Sequence, residues 1–380
     1  MTTAIIFILV LSVLVFVHEL GHFFTARRLG VKADEFGFGF PPRALGIYKD
    51  VNGRWHHFWG NKALESLPEG QEPAGTVYSL NWLPLGGFVR IKGENGEGKQ
   101  DSDSFAAKSL WRRALILAAG VIMNIVLAAV LLSAGYMMGM PQSLEEARPS
   151  AHITQAEMLV VETLADSPAE KAGIQTGDVI AAINNEAVSS HKQLQNLLSN
   201  SQGQAVDVLI RNDEGDKHLE IIPEMIVGTN TPGLGVSIYS SATIRYPFFI
   251  AIWEGIKMTG VMFWAIIVAF YGLIVGLFSG ASMGAQVAGP VGIATLTGQV
   301  ASLGFAYLLQ FMALLSLNLA LINILPFPAL DGGRLFFLLI EKFKGKPVRQ
   351  SVETWIHAIG FWLLILLIVF VTYKDIVRLF

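Results

Sequence analysis

His18-Glu19-Leu20-Gly21-His22 lies inside an apolar run that begins at Ala4. On a helix, imidazoles at i and i+4 point the same way and can share one Zn²⁺. The intervening Glu19 can then take a proton from the water that the metal activates, which is hydrolytic chemistry. Motifs this short recur by chance, so the setting decides. Two histidines and a glutamate at membrane depth are expensive unless they face a polar interior or a metal.

A second polar feature stands in Asn323-Ile324-Leu325-Pro326-Phe327-Pro328-Ala329-Leu330-Asp331-Gly332-Gly333. Pro326 and Pro328 break helical hydrogen bonding, and Gly332-Gly333 permits tight backbone geometry. Asp331 follows a stretch from Met258 to Leu330 without one Asp, Glu, Lys or Arg, so it needs a partner. A zinc held by His18, His22 and Asp331, with water in the fourth position, would supply it.

The elements that must position these residues are membrane helices. Apolar residues make up 52% of the 380-residue chain and charged residues 15%, where a soluble protein carries about a quarter. Mean hydropathy is +0.50. A net charge of −3 and the lack of a basic stripe give no reason to expect nucleic acid as a partner. With no cysteine, disulfides and thiolate ligands are excluded, leaving His, Asp and Glu for any metal site.

Four segments are long enough to span: Ala4 to Ala26, Ala114 to Met140, Phe305 to Pro326 and Trp355 to Tyr373. The first has Arg27, Arg28 and Lys32 after it and no basic residue before it, the reverse of a cleavable signal. The positive-inside rule therefore places the N-terminus outside. Arg112 and Arg113 open the second span from the cytoplasm, and Lys342, Lys344, Lys346 and Arg349 fill the last connection. Residues 258–278 could also span, but a fifth crossing would move that basic loop outside. The expectation is a re-entrant or interfacial element over 245–300, interrupted by Gly260, Gly272 and Gly276.

Between the second span and this element the composition is that of a soluble domain, over about 150–240. Strands are expected at 158–164, 178–184, 206–211 and 218–222, the last two joined at Asp213-Glu214-Gly215-Asp216. Short helices are expected at Ser167–Gly173 and Ser190–Leu198. The run Ser167-Pro168-Ala169 through Gly177-Asp178-Val179-Ile180 resembles a PDZ domain of the bacterial protease type, which accepts a peptide as an added strand. Gly233-Leu234-Gly235-Val236 loosely resembles its carboxylate-binding loop.

HELGH in the first span, NILPFPALDGG in the third and the PDZ-like insert together resemble the site-2 protease family, in its bacterial regulator-of-sigma-E type. Nearly the whole chain takes part. Gly37-Phe38-Gly39, the run Leu85-Gly86-Gly87-Phe88-Val89-Arg90 and Gly289-Pro290-Val291-Gly292-Ile293-Ala294 are similar to further family segments in order. The resemblance implies a polytopic α-helical membrane protein of about four transmembrane helices, with membrane-associated β elements and an inserted α+β PDZ-like domain. Its segments would be 1–30, 31–112, 113–141, 150–240, 245–300, 303–333 and 354–375. It implies Zn²⁺ on His18, His22 and Asp331, Glu19 as catalytic base, and Asn323, less strongly Asn318, holding unwound substrate backbone. Gly86 and Gly87 belong to an edge that could hold substrate extended. The implied substrate is a single-span membrane protein already shortened by another protease, an anti-sigma factor or a remnant signal peptide. The implied location is a bacterial inner membrane, with the PDZ-like domain outside and the site near the cytoplasm. The chain departs from the type in carrying one PDZ-like domain where the type has two, and in a longer polar insert over 53–75.

Two competing functions differ in what they require. A zinc-clamped membrane scaffold or chaperone that binds peptides through the PDZ-like domain has no need of Glu19. A zinc transporter needs a second polar path, which the uncharged stretch before Asp331 does not offer. His56 and His57 are expected on a loop surface and His357 at a helix interface.

Overall fold

The computed structural model describes residues 2–61, 71–144, 148, 150–201, 203–212, 215–225, 232–279 and 288–378. Part of the polar insert over 53–75, and Asp213 and Glu214 of the expected turn, lie outside these residues. The elements in chain order are α1 (Thr2–Arg28), β1 (Ala33–Lys49), β2 (Trp55–Trp59), β3 (Val77–Ile91), α2 (Leu110–Met138), β4 (Met140–Ser143), β5 (His152–Thr163) and α3 (Pro168–Ala172). There follow β6 (Val179–Ile183), β7 (Glu186–Ala187), α4 (His191–Asn200), β8 (Val206–Asn212), β9 (Gly215–Ile221), β10 (Glu224–Met225), β11 (Pro232–Gly233) and β12 (Val236–Arg245). The chain ends with α5 (Phe248–Ser279), α6 (Pro290–Leu303), α7 (Phe305–Ile324), α8 (Asp331–Lys344) and α9 (Gln350–Arg378). Two compact units result, Met1–Leu132 with Gly255–Phe380, and Ser133–Glu254.

Among the described residues five helices, α1, α2, α5, α7 and α9, are long and apolar enough to cross a membrane, one more than the four spans counted above. The difference is α5, which is continuous over Phe248–Ser279 where interruption at three glycines was expected. Each glycine costs about 1 kcal/mol relative to alanine in a helix. That is small against the backbone hydrogen bonds a non-helical segment would leave unmade in lipid.

In the first unit β1, β2 and β3 form one sheet in the order β2-β1-β3. Residues 35–38 of β1 pair with 87–90 of β3 and also with 77–80, so among the described residues 87–91 forms an outer edge. That edge runs against α1. Ser12 Oγ donates to the Pro84 carbonyl at 2.5 Å, and Gly86 N–H donates to Ser12 Oγ at 3.3 Å. Ser12 is six residues, or roughly 9 Å of helix, nearer the N-terminus than His18. The apolar tip of β3, with Trp82, Leu83 and Leu85 exposed, therefore reaches along the spanning helix. A β-carbon on Gly86 would strike Val15, and one on Gly87 would strike the Gly37 carbonyl, so both glycines permit this approach.

The sheet buries the Glu35 carboxylate. Glu35 takes hydrogen bonds from Arg43 Nε and Nη2 at 2.6 and 2.5 Å and from Ser79 Oγ at 2.7 Å. Burial pushes its carboxyl upward, but Arg43 and Ser79 outweigh this and hold it below the usual carboxylate range. His56 and His57 lie within strand β2, paired with Tyr48 and Ile47, where a loop was expected. Period-two alternation places Phe58 inward between exposed Trp55 and Trp59.

The second unit is a seven-stranded sheet, β4-β12-β5-β6-β8-β9 with β7 beside β6, over a core that includes Met158, Val160, Ile180, Ile183, Val208 and Ile210. Ser167 caps α3 by accepting from Glu170 N–H, and Gly173 closes it in the left-handed region at φ 85°. Ser190 caps α4 through Gln193 N–H. β4 pairs with residues 241–244 of β12. Among the described residues 236–240 have a strand partner only on the β5 side.

Candidate metal centre

α1 presents His18 and His22 one turn apart, both buried at 6% exposure. Asp331 arrives from a different part of the chain. After α7 the backbone turns back through Leu325 to Leu330, with Ala329 in the left-handed region at φ 77°. Ala329 N–H donates to His357 Nδ1 at 2.8 Å, which gives that histidine its place at the interface of α9 with this turn. A β-carbon on Gly332 would lie 2.1 Å from the Leu325 carbonyl oxygen, and one on Gly333 2.4 Å from that of Phe327. Only glycines allow the turn to fold onto the start of α8. Asp331 is the first residue of α8, where the helix dipole favours a negative charge. Two ion pairs pin α8, Arg113 to Glu341 at 2.6 Å and Arg334 to Glu94.

The three side chains meet. His18 Nε2 lies 3.0 Å from Asp331 Oδ2, His22 Nε2 lies 3.2 Å from the same oxygen, and the two Nε2 atoms are 3.2 Å apart. Donors each roughly 2.0–2.1 Å from a tetrahedral ion stand about 3.3 Å from one another. The donor set, two nitrogens and one carboxylate oxygen, therefore fits Zn²⁺ in chemistry and in spacing. Glu19 points elsewhere: its Oε2 accepts from Val89 N–H at 3.1 Å, on the outer edge of β3. The acid/base candidate thus sits between the donor cluster and the outer strand of the sheet.

The other expected site residues fall into two groups. Gly86 and Gly87 lie where β3 meets α1, three and two residues before Val89. Asn323 is half-buried on the last turn of α7, eight positions before Asp331. Asn318 uses its amide on its own helix, donating to the Leu314 carbonyl at 2.9 Å.

Sequence reasoning expected α2 as the second span but missed its part in the site. Ile116, Gly120 and Asn124, spaced at i, i+4 and i+8, form one face of that helix against the two histidines. His22 Nδ1 lies 2.8 Å from the Ile116 carbonyl oxygen, and Asn124 Nδ2 lies 3.1 Å from His18 Nδ1. A β-carbon on Gly120 would stand 2.4 Å from His22 Nε2 and 2.6 Å from His18 Nε2. The available signal was Asn124, an amide in the apolar middle of a spanning helix.

The family model for Peptidase family M50 matches residues 6–56 and 66–367. The regulator of sigma-W protease RasP of Bacillus subtilis is 29% identical over 100% of this chain and 99% of its own length. The zinc metalloprotease RasP of Oceanobacillus iheyensis is 29% identical over 100% of both chains. A protein of Clostridium acetobutylicum is 33% identical over 98% of this chain and 97% of its own. Among solved structures, the PDZ domain of an SdrC-like protein from Listeria monocytogenes is 22% identical over 23% of this chain, with a TM-score of 0.21, too low to carry an argument.

Proposed function

The chain belongs to peptidase family M50, the site-2 protease family, and is a zinc metalloprotease; from that premise we propose that it hydrolyses peptide bonds within the transmembrane segments of single-span proteins. The carrying observation is that Asp331, from α8, converges within 3.2 Å on His18 and His22 of a spanning helix, beside Glu19.

His18, His22 and Asp331 would hold the metal. When bound, zinc polarises a peptide carbonyl and lowers the pKa of water toward 7. Glu19 takes the proton from the attacking water and passes it to the leaving amine. A peptide bond in a substrate helix is shielded by its own hydrogen bonds, so the substrate must be unwound at the cleavage point. The outer edge at 87–91 holds it extended by strand addition, ending at Val89 beside Glu19. Asn323 binds the freed backbone. Asn318, whose amide is engaged within α7, plays a smaller part.

The charge rule places the end of α1 at Arg27 and Arg28 in the cytoplasm, so the site lies toward that side and the PDZ-like unit lies outside. Four crossings suit this arrangement. A β-carbon on Gly298 of α6 would meet Thr3, at the outer end of α1. Gly289 and Gly292 N–H donate to Asp375, near the outer end of α9, at 3.2 and 2.8 Å. The chain therefore enters α6 on the outer side, the same side on which α5 begins, so the segment 245–300 taken as a whole is interfacial or re-entrant and adds no net crossing.

The relative named for sigma-W regulation suggests a substrate that controls transcription, such as an anti-sigma factor, with remnant signal peptides as a second class. The substrate has already been shortened by another protease, because the outer unit excludes intact ectodomains. Reconstituted protein should cleave a shortened single-span substrate, and Glu19→Gln should abolish cleavage with zinc retained. Equal cleavage by both proteins would sink the reading in favour of a zinc-clamped binding protein.

A further inference from the structure

We propose that Asn124 is a positioning residue for His18, its side-chain amide fixing which ring nitrogen of that histidine carries the hydrogen. The proposal rests on the reading of His18 as a metal ligand through Nε2, the atom that faces Asp331 and His22.

Asn124 is fully buried in α2, with Nδ2 3.1 Å from His18 Nδ1 and with Oδ1 lacking a partner among the described residues. A buried carbonyl without a donor is costly, and more so among spanning helices. The two ends of an amide are distinguished only by the hydrogen bonds they make. With Nδ2 toward the ring, Nδ1 accepts and His18 carries its hydrogen on Nε2, aimed at the Asp331 carboxylate. With the amide rotated by half a turn, Oδ1 accepts from Nδ1–H, and Nε2 is free to ligate. The second arrangement gives the orphaned oxygen a donor and leaves Nε2 free to ligate, in exchange for turning Nδ2 away from the ring. Its counterpart at His22 needs no such choice, because the Ile116 carbonyl can only accept and so holds the hydrogen on Nδ1. One ligand is thus oriented by backbone and the other by a side chain that substitution can remove.

Outer partners of metal-bound histidines change metal affinity by roughly ten- to a hundredfold when removed. The test measures zinc content and the rate of zinc loss to a chelator in the full-length protein in liposomes, with thermal unfolding as the control for folding. Asn124→Leu should weaken zinc binding by roughly that factor, and Asn124→Asp, which keeps an acceptor of the same shape, should restore most of it. If Asn124→Leu fails to fold, Asn124→Ala is read in its place. Ser316→Ala removes the 2.8 Å hydrogen bond to the Asn124 backbone carbonyl without touching the amide, and should lower stability with zinc affinity unchanged. Unchanged zinc affinity in folded Asn124→Leu overturns the proposal, as does equal loss in the Leu and Asp variants or in Ser316→Ala. If His18→Ala leaves zinc content unchanged, the ligand assignment itself falls and this proposal with it.

Discussion

His22 Nδ1 donates to the carbonyl oxygen of Ile116 at 2.8 Å, which leaves His22 Nε2 with its lone pair turned toward Asp331. A backbone carbonyl in mid-helix cannot be removed by changing a side chain. The orientation of His22 therefore depends on how closely α1 and α2 approach, and that distance is set by glycine.

Gly120→Ala tests this spacing. Alanine favours the helix by about 1 kcal/mol, so α2 should form. Its methyl group would nevertheless stand 2.4 Å from His22 Nε2 and 2.6 Å from His18 Nε2. Since misplacement by about 1 Å can cost 10²-fold, hydrolysis should fall by about that factor and zinc content should drop. A variant with full zinc and full activity would contradict the geometry.

Metal removal should act through three residues alone. Dialysis against a strong chelator should abolish hydrolysis, and Zn²⁺ should restore it where Mg²⁺, which prefers oxygen ligands, does not. Asp331→Asn removes the carboxylate that faces both histidines, and should prevent zinc from rescuing the dialysed protein. Rescue of that variant to the native level would show that Asp331 is no ligand.

Val89→Pro removes the N–H that Glu19 accepts at 3.1 Å. A hydrogen bond to a charged group contributes about 1.5–3 kcal/mol, so turnover should fall tenfold or more. Zinc content should be unchanged, because Glu19 is not among the three clustered donors. Loss of zinc would mean that the substitution disturbs the sheet, and unchanged turnover that the edge does not orient Glu19.

Glu35 gives the sheet a pH dependence of known sign. Its carboxyl titrates lower in the folded chain than in the unfolded chain, so its stabilisation is complete above the ordinary carboxylate pKa of about 4.3 and is lost as pH falls through the lower folded value. Glu35→Gln removes the carboxylate charge that faces Arg43 at 2.5 Å, at a position of 2% exposure, and should cost about 3–5 kcal/mol. Thermal unfolding at pH 7 and pH 4 should show a native midpoint that drops with acid and a lower variant midpoint that drops less. Parallel pH curves would remove Glu35 from the account.

Removing residues 155–224 tests the outer unit as a size filter. The shortened protease should cleave a single-span protein that keeps its ectodomain, which the native chain leaves intact. If the unshortened substrate stays resistant while the shortened one is still cleaved, exclusion by this unit is wrong.

The chemistry was legible in residue types because its parts are local. HELGH on a helix puts two imidazoles on one side whatever surrounds it, and Gly332-Gly333 after two prolines marks a sharp turn that ends at Asp331. Ser167 with Gly173, and Ser190, likewise bounded short helices through hydrogen bonds within a few residues. The continuity of α5 was not legible, since neither glycine counting nor loop charge measures what an apolar segment gains by closing its own hydrogen bonds. Nor was the role of α2. His18 and Asp331 are 313 residues apart and His18 and Asn124 are 106, and their meeting depends on side chains from separate helices filling one space. Gly120 shows why tertiary structure had to decide: a missing side chain carries no signal until the atoms occupying its place are known.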